Sequence, residues 1–139
     1  MDRRKFIKNT CAFCVGASSI GAVLTSCSVQ KNIYKTIAQN NIISIPLSEF
    51  IDKNHLIVRA TTLNYDIFTY KINENNYTAL LMKCTHRDSP VQYSSGGLVC
   101  NEHGSRFGFD GVVTKAPATE SLKQLEVSTN ETHINIKIT

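Results

Sequence analysis

The chain has 139 residues, enough for one small domain, and its content of 42% hydrophobic and 19% charged residues excludes both a wholly disordered chain and a membrane bundle. The formal charge of +4 suggests a nucleic-acid partner, but four of the 15 basic and only one of the 11 acidic side chains lie in residues 1–26. The remaining 11 basic and 10 acidic side chains nearly cancel, so a strongly basic surface for nucleic acid is excluded.

Residues 1–26 predict an export signal. The charged segment Arg3-Arg4-Lys5-Phe6-Ile7-Lys8 resembles a twin-arginine signal, and small and apolar residues follow it from Cys11 to Leu24. The end of this stretch, Leu24-Thr25-Ser26-Cys27, resembles a bacterial lipobox, in which Cys27 is acylated and becomes the new N-terminus. The alternative is an uncleaved anchor helix, although the stretch is short and polar for a membrane span. Both interpretations predict a protein of the bacterial cell envelope, tethered to a membrane, on its periplasmic side.

The rest of the chain predicts a polar tether over residues 27–40 and an all-β domain over residues 41–139. Short segments with apolar residues alternate with turns rich in Asn, Asp, Glu and Lys. The segment Asn73–Asn76 is predicted as a hairpin loop, and Leu47–Phe50 as one helical turn with Ser48 as its N-cap. The predicted strands are 42–45, 56–59, 66–72, 77–82, 124–127 and 132–138.

Two motifs combine cysteine with histidine. Cys84-Thr85-His86 and Cys100-Asn101-Glu102-His103-Gly104-Ser105 each follow an apolar, strand-like run, and 13 residues separate His86 from Cys100. Thiolate and imidazole together indicate a metal site. Three interpretations compete: a Cys₂His₂ zinc site, a Cys84–Cys100 disulfide, and a [2Fe–2S] centre with two Cys on one iron and two His on the other. A Cys-x-His spacing is uncommon in zinc modules, and a disulfide would leave both histidines without a role.

The wider pattern around these motifs resembles the Rieske iron–sulfur family. The segment Leu81–His86 is similar to the family's strand entering the first cluster loop, and Gly97–Cys100 to the strand entering the second. His103-Gly104-Ser105-Arg106-Phe107, Asp110-Gly111 and Lys115-Ala116-Pro117-Ala118 follow in the family's order. The resemblance spans residues 41–139 and is strongest over 80–128.

This resemblance implies a fold of antiparallel sheets with a small cluster-binding subdomain at about residues 83–119. It implies one [2Fe–2S] cluster per chain, with Cys84 and Cys100 on the inner iron and His86 and His103 on the outer iron. It also implies that the Ser105 hydroxyl donates to a cluster sulfur. Histidine ligands raise the potential of such a cluster to roughly −150 to +300 mV, against about −400 mV for all-cysteine plant-type clusters.

Several residues depart from the Rieske subunits of quinol-oxidising cytochrome bc complexes. Those subunits usually have a second Cys in each loop, and these two cysteines form a disulfide. This chain has Ser89 and Glu102 at the two positions. Arg87 stands in place of a leucine near the quinol pocket, and Phe107 in place of a tyrosine that donates to a ligand sulfur. These differences favour simple electron carriage over quinol oxidation.

The sequence therefore predicts an exported, membrane-tethered protein that transfers one electron at a time between unidentified redox partner proteins and is not an enzyme by itself. The first alternative is the Rieske subunit of a membrane oxidoreductase, such as a cytochrome bc-type quinol oxidase. A second alternative is a zinc-stabilised binding lipoprotein. A ring-hydroxylating oxygenase is excluded for this chain, because about 100 residues leave no room for a further catalytic iron domain.

Overall fold

The computed structural model describes residues 32–138. Within this range the chain forms two β-sheets and one 3₁₀ turn, Leu47–Phe50. No helix among these residues is long and apolar enough to cross a membrane. The strands are β1 (Ile33–Thr36), β2 (Ile42–Pro46), β3 (His55–Ala60), β4 (Ile67–Lys71), β5 (Tyr77–Leu81), β6 (Gln92–Ser94), β7 (Gly97–Val99), β8 (Arg106–Phe107), β9 (Val113–Lys115), β10 (Gln124–Thr129) and β11 (His133–Lys137).

The larger sheet has seven strands in the order β1-β3-β4-β5-β10-β11-β2 and curls into a near-barrel. Alternating isoleucines on its strands form its interior: Ile134 lies opposite Ile45, and Ile136 opposite Ile43, and all four are fully buried. Burying each such side chain stabilises the fold by about 1.5–3 kcal/mol. The all-β prediction is confirmed.

The smaller sheet has four strands in the order β6-β7-β8-β9. It is inserted between β5 and β10 of the larger sheet, and its strands lie within the stretch of about residues 83–119 that the sequence predicts as a subdomain. A second apolar core lies between the sheets and includes Phe68 and Leu80 from the larger sheet and Leu98 and Phe107 from the smaller one. This core fixes the position of the loops that emerge from the smaller sheet.

Three expectations are corrected. The predicted tether is wrong over Ile33–Thr36, because these residues form β1, an edge strand that pairs with β3. That pairing is parallel, so the larger sheet is not purely antiparallel. Ser48 is not an N-cap, because Pro46 stands at the cap position and no side chain caps the 3₁₀ turn, whereas the Ser48 carbonyl accepts the Ile51 N–H.

The hairpin prediction for Asn73–Asn76 is confirmed. The Asn73 side-chain oxygen accepts the backbone N–H groups of Asn75 and Asn76 at 3.1 and 3.0 Å. A short side chain that satisfies its own turn in this way fixes the register of β4 on β5.

Candidate metal centre

The first motif lies in a tight loop directly after β5. The Cys84 N–H donates to the Ser89 carbonyl at 2.8 Å, and the Asp88 N–H donates back to the Cys84 carbonyl at 2.9 Å. Asp88 adopts a left-handed conformation with φ of 57°, which Asp tolerates better than most residues. These bonds turn the chain so that Cys84 points into the second core while His86 stays half-exposed.

The second motif lies in the loop between β7 and β8. The Cys100 N–H donates to the Ser105 carbonyl at 2.9 Å, and the Gly104 N–H donates to the Cys100 carbonyl at 3.0 Å. Gly104 has φ of 81°, and a Cβ there would contact nothing, so glycine is required by the backbone conformation. The loop buries Cys100 and leaves His103 exposed.

The two loops bring the four predicted ligands together. Cys84 and Cys100 are each 1% exposed and are free thiols, so the disulfide interpretation is wrong. The rings of His86 and His103 lie with their centroids 4.9 Å apart and their planes at 84°. Each loop thus contributes one cysteine to a buried pair and one histidine to an outer pair.

The electrostatics of the inner pair favour a bound cation. Burial raises the pKa of the Cys100 thiol, the nearby Cys84 thiol raises it further, and the backbone N–H groups of Glu102 and His103 act against this by hydrogen-bonding the sulfur. A thiol such as that of Cys100, buried in an apolar core, resists ionisation unless a positive partner compensates the thiolate. A bound metal ion would supply that compensation.

The outer pair also fits a metal ligand. The Nδ1 atom of His86 is buried and has no hydrogen-bond partner in the described residues. A buried polar atom without a partner is costly unless it binds a group of another kind. No three His, Cys, Asp or Glu side chains in residues 32–138 converge on a single ion position. A diiron cluster does not need such convergence, because each iron takes only two protein ligands.

Ser105 is fully buried beside the second loop. Its Oγ accepts the Ala118 N–H at 3.0 Å, which ties the second loop to a third segment, residues 116–122. No acceptor for its own hydroxyl proton is present in the described part of the chain, so that proton is available to a bound group. Ala118 belongs to the same buried core as Cys84 and Cys100, and Pro117 is half-buried.

Sequence reasoning missed a set of residues that brace the first loop. The Tyr65 hydroxyl donates to the Asp88 carbonyl at 2.6 Å, and Lys83 pairs with the Asp88 carboxylate at 3.1 Å. The Thr85 hydroxyl donates to the Glu120 carbonyl at 2.6 Å. Tyr65 lies in the β3–β4 connection. Its spacing in the sequence does not predict that it contacts Asp88.

Sequence reasoning also missed an aromatic contact between the two sheets. His55 of β3 stacks on Tyr93 of the smaller sheet with centroids 4.2 Å apart and planes at 16°. Phe109 stacks on Phe68 and Tyr70 of β4 at 5.5 and 5.4 Å. These rings hold the loop-bearing sheet against the larger one. The predicted export signal over residues 1–26 and the predicted acylation at Cys27 lie outside the described residues.

Comparisons with known proteins agree with this geometry. The family model for the Rieske [2Fe–2S] domain matches residues 43–126. No curated protein sequence matches the chain.

Three solved structures share the fold. The cyanobacterial plasma membrane Rieske protein PetC3 from Synechocystis PCC 6803 is 22% identical with a TM-score of 0.54, over 67% of this chain and 98% of that chain. A chain from the complex of reduced oxygenase and oxidized ferredoxin in carbazole 1,9a-dioxygenase is 17% identical with a TM-score of 0.53, over 71% and 94%. Naphthalene 1,2-dioxygenase with indole bound is 19% identical with a TM-score of 0.57, and the match covers 78% of this chain but only 27% of that one. At these identities the likenesses show the fold alone.

Proposed function

Because the chain belongs to the Rieske [2Fe–2S] domain family, which binds a [2Fe–2S] cluster and serves electron transfer, we propose that it is a one-electron carrier tethered to a membrane of the bacterial envelope. When bound, the cluster supplies reversible one-electron chemistry at a potential that its histidine ligands raise.

The contrast between the two ligand pairs is the observation on which the proposal depends. Cys84 and Cys100 are 1% exposed inside an apolar core, whereas His103 is exposed and His86 half-exposed. The protein therefore shields the cysteine side from water and presents the histidine side at its surface. A partner that docks on the histidine side would come close to the iron that His86 and His103 would hold, while the core would shield Cys84 and Cys100 from water.

The residues around the site favour a carrier over a quinol oxidase. Phe107, at the position of the tyrosine in cytochrome bc-type subunits, is 1% exposed in the core and has no hydroxyl to donate. Arg87, at the position of a leucine near the quinol pocket, is exposed. A charged side chain there suits a protein–protein contact better than an apolar quinol. A Rieske subunit of a larger oxidoreductase is the second candidate.

The position of β1 sharpens the tether proposal. The first strand of the described residues begins at Ile33, so lipid on Cys27 would place residues 28–32 between the acylated residue and this strand. Five residues span at most about 18 Å when fully extended. A domain held this close to a membrane is suited to partners that are themselves bound to that membrane.

The experiment compares the full-length protein with a Cys27→Ala variant in a bacterial host. We expect the wild type to fractionate with membranes, to be red-brown, and to give the reduced-state EPR signal of a histidine-ligated [2Fe–2S] cluster after dithionite. We expect the variant to keep the colour and signal but to lose lipid labelling and the membrane association.

A colourless protein with bound zinc would contradict the electron-transfer function. Membrane association that persists without lipid labelling would contradict the lipid tether and favour an uncleaved anchor. A stable stoichiometric complex with a quinol-reducible partner would favour the subunit alternative.

A further inference from the structure

A single row of residues crosses the four-stranded sheet next to the ligand loops. The register pairs Gln92 with Val99, Val99 with Arg106, and Arg106 with Lys115. Val99 and Arg106 are the two residues that flank the second ligand loop. The row therefore borders the site at the end of the sheet from which that loop emerges.

The row faces solvent, and a β-bulge determines which residue lies at its end. Arg106 is exposed, whereas the next residue, Phe107, is buried in the core. The register shifts between them, so that Phe107 pairs with Val113 while Arg106 pairs with Lys115. The extra residue, Thr114, is left without a partner on β8, and exposed Lys115 is aimed to the same side as Arg106.

No ion pair within the described residues stabilises the adjacent positive charges of Arg106 and Lys115. Like charges directly opposite each other on neighbouring strands destabilise a sheet. Arg59, Lys71 and Lys83 each pair with a carboxylate, but Arg106 and Lys115 make no ion pair or side-chain hydrogen bond in the described part of the chain. The bulge therefore places two exposed positive charges next to each other beside the candidate site, with no carboxylate partner among the described residues.

We propose that Arg106 and Lys115 dock an acidic surface of the redox-partner protein next to the ligand loops, an inference that rests on the proposed carrier function. Exposed cations beside the site attract an anionic surface and speed the encounter. Half-buried Val99 adds an apolar contact next to Arg106. Because basic and acidic residues nearly cancel outside residues 1–26, the attraction arises from this local pair and not from the net charge.

The test measures electron transfer from the reduced holoprotein to two small oxidants of opposite charge. Each reaction moves one electron from the reduced cluster to the reagent, giving ferrocyanide from ferricyanide or the cobalt(II) complex from tris(bipyridine)cobalt(III). The Arg106→Gln/Lys115→Gln variant is compared with Lys35→Gln/Lys137→Gln, which removes the same charge from strands of the larger sheet. Stopped-flow rates are measured from low to high ionic strength.

At low ionic strength we expect the Arg106/Lys115 variant to react on the order of tenfold more slowly with ferricyanide and faster with the cobalt complex, with the difference vanishing at high salt. A change in cluster potential would shift both rates in the same direction, whereas a change in local charge shifts them in opposite directions. Equal effects in the two double variants, or no effect in either, would overturn the proposal. No reaction of the wild type with either oxidant would instead contradict the carrier function itself.

A second measurement separates a protein partner from a lipid surface. With Cys27→Ala present to remove acylation, binding to vesicles of anionic phospholipid is compared with and without the Arg106→Gln/Lys115→Gln changes. We expect no difference between them. Vesicle binding that these two changes abolish would assign the row to the membrane and overturn docking of a protein.

Discussion

Ser89 and Glu102 join the two ligand loops through a side-chain hydrogen bond: the Ser89 hydroxyl donates to the Glu102 carboxylate at 2.6 Å. Ser89 also accepts the Cys84 N–H through its carbonyl, and Glu102 lies between Cys100 and His103, so the bond connects the immediate surroundings of both ligand pairs. These are the positions at which cytochrome bc-type Rieske subunits usually have a disulfide. A hydrogen bond links the loops here without a group that a thiol reductant could break.

Removing this bond is expected to loosen the cluster without changing the fold. Ser89→Ala should speed cluster loss at elevated temperature roughly fivefold, since such a bond contributes about 1 kcal/mol. Ser89→Thr and Glu102→Gln, which keep the donor and an acceptor, should lose the cluster more slowly than Ser89→Ala. The measurement is the decay of visible absorbance.

The matched control is Ser44→Ala, which breaks a 2.8 Å serine hydrogen bond to Asn135 in the larger sheet. This variant should retain the cluster as the wild type does. If Ser44→Ala and Ser89→Ala lost the cluster equally fast, the effect would be one of general stability, and the inter-loop bond would have no special part in it.

Substitution of any one of the four ligands should cause loss of the cluster. Cys84→Ala, Cys100→Ala, His86→Ala and His103→Ala each leave one iron short of a protein ligand, and cluster binding is linked to folding. Iron-to-protein ratio, visible absorbance and EPR of the purified variants check this. His133→Ala, at the start of β11 and outside the loops, is the control and should be fully loaded. A ligand variant with an unchanged spectrum would remove that residue from the site.

Ser105→Ala should lower the reduction potential. A hydroxyl that donates to a cluster sulfur stabilises the more negative reduced form, and about 1 kcal/mol corresponds to roughly 40 mV for one electron. Because Ser105 Oγ also accepts the Ala118 N–H, the thermal stability of the variant is measured alongside its potential. An unchanged potential in protein-film voltammetry would show that the hydroxyl does not donate to the cluster.

Phe107→Tyr should raise the potential by a similar amount, because it adds a donor at the position where cytochrome bc-type subunits have one. Phe107→Leu, which changes the packing but adds no hydroxyl, is the control and should not raise it. The wild type should fall in the lower to middle part of the range for histidine-ligated clusters, roughly −150 to +300 mV. A value at the top of that range would contradict this account of the hydrogen bonds.

His55 should make folding stability depend on pH. Burial lowers its pKa below the ordinary 6.5, while its ring nitrogens face Asn54 and Asn32 at 2.8 and 3.3 Å and its face stacks on Tyr93. The unfolded chain therefore binds the proton more readily, so stability should fall as the pH drops below 6.5 and level off below the folded-state pKa. Urea unfolding at several pH values should show a weaker slope in His55→Gln than in the wild type. An identical slope would exclude His55 as the cause.

Export should require the paired arginines. In the proposed export route the cluster is inserted before the protein crosses the membrane, because the twin-arginine route transports folded proteins. Arg3→Lys together with Arg4→Lys should leave the holoprotein in the cytoplasm, whereas Lys8→Arg, which keeps the charge and the pair, should not. Fractionation with EPR detection of the cluster measures this. Unchanged export of the double variant would contradict the prediction.

The local sequence by itself determines which residues serve as the four candidate ligands of the site. Cys84, His86, Cys100 and His103 stand in two short motifs behind apolar runs, and the chemistry of thiolate and imidazole narrows the use of such a set to a metal or cluster. Strands such as β2 and β11 were also predictable, because one buried face imposes a two-residue alternation on the sequence.

Only the tertiary structure decided which residues meet across the loops and sheets. Ile33–Thr36 forms an edge strand because it pairs with the free edge of β3. The composition of this short segment does not predict that pairing. Ser89 and Glu102 approach each other, and His55 stacks on Tyr93, because the two sheets pack around a shared core. This packing brings together residues that are far apart in the chain. Local propensity acts over a few residues along the chain, whereas these contacts join residues 13 to 38 positions apart, and their geometry follows from packing alone.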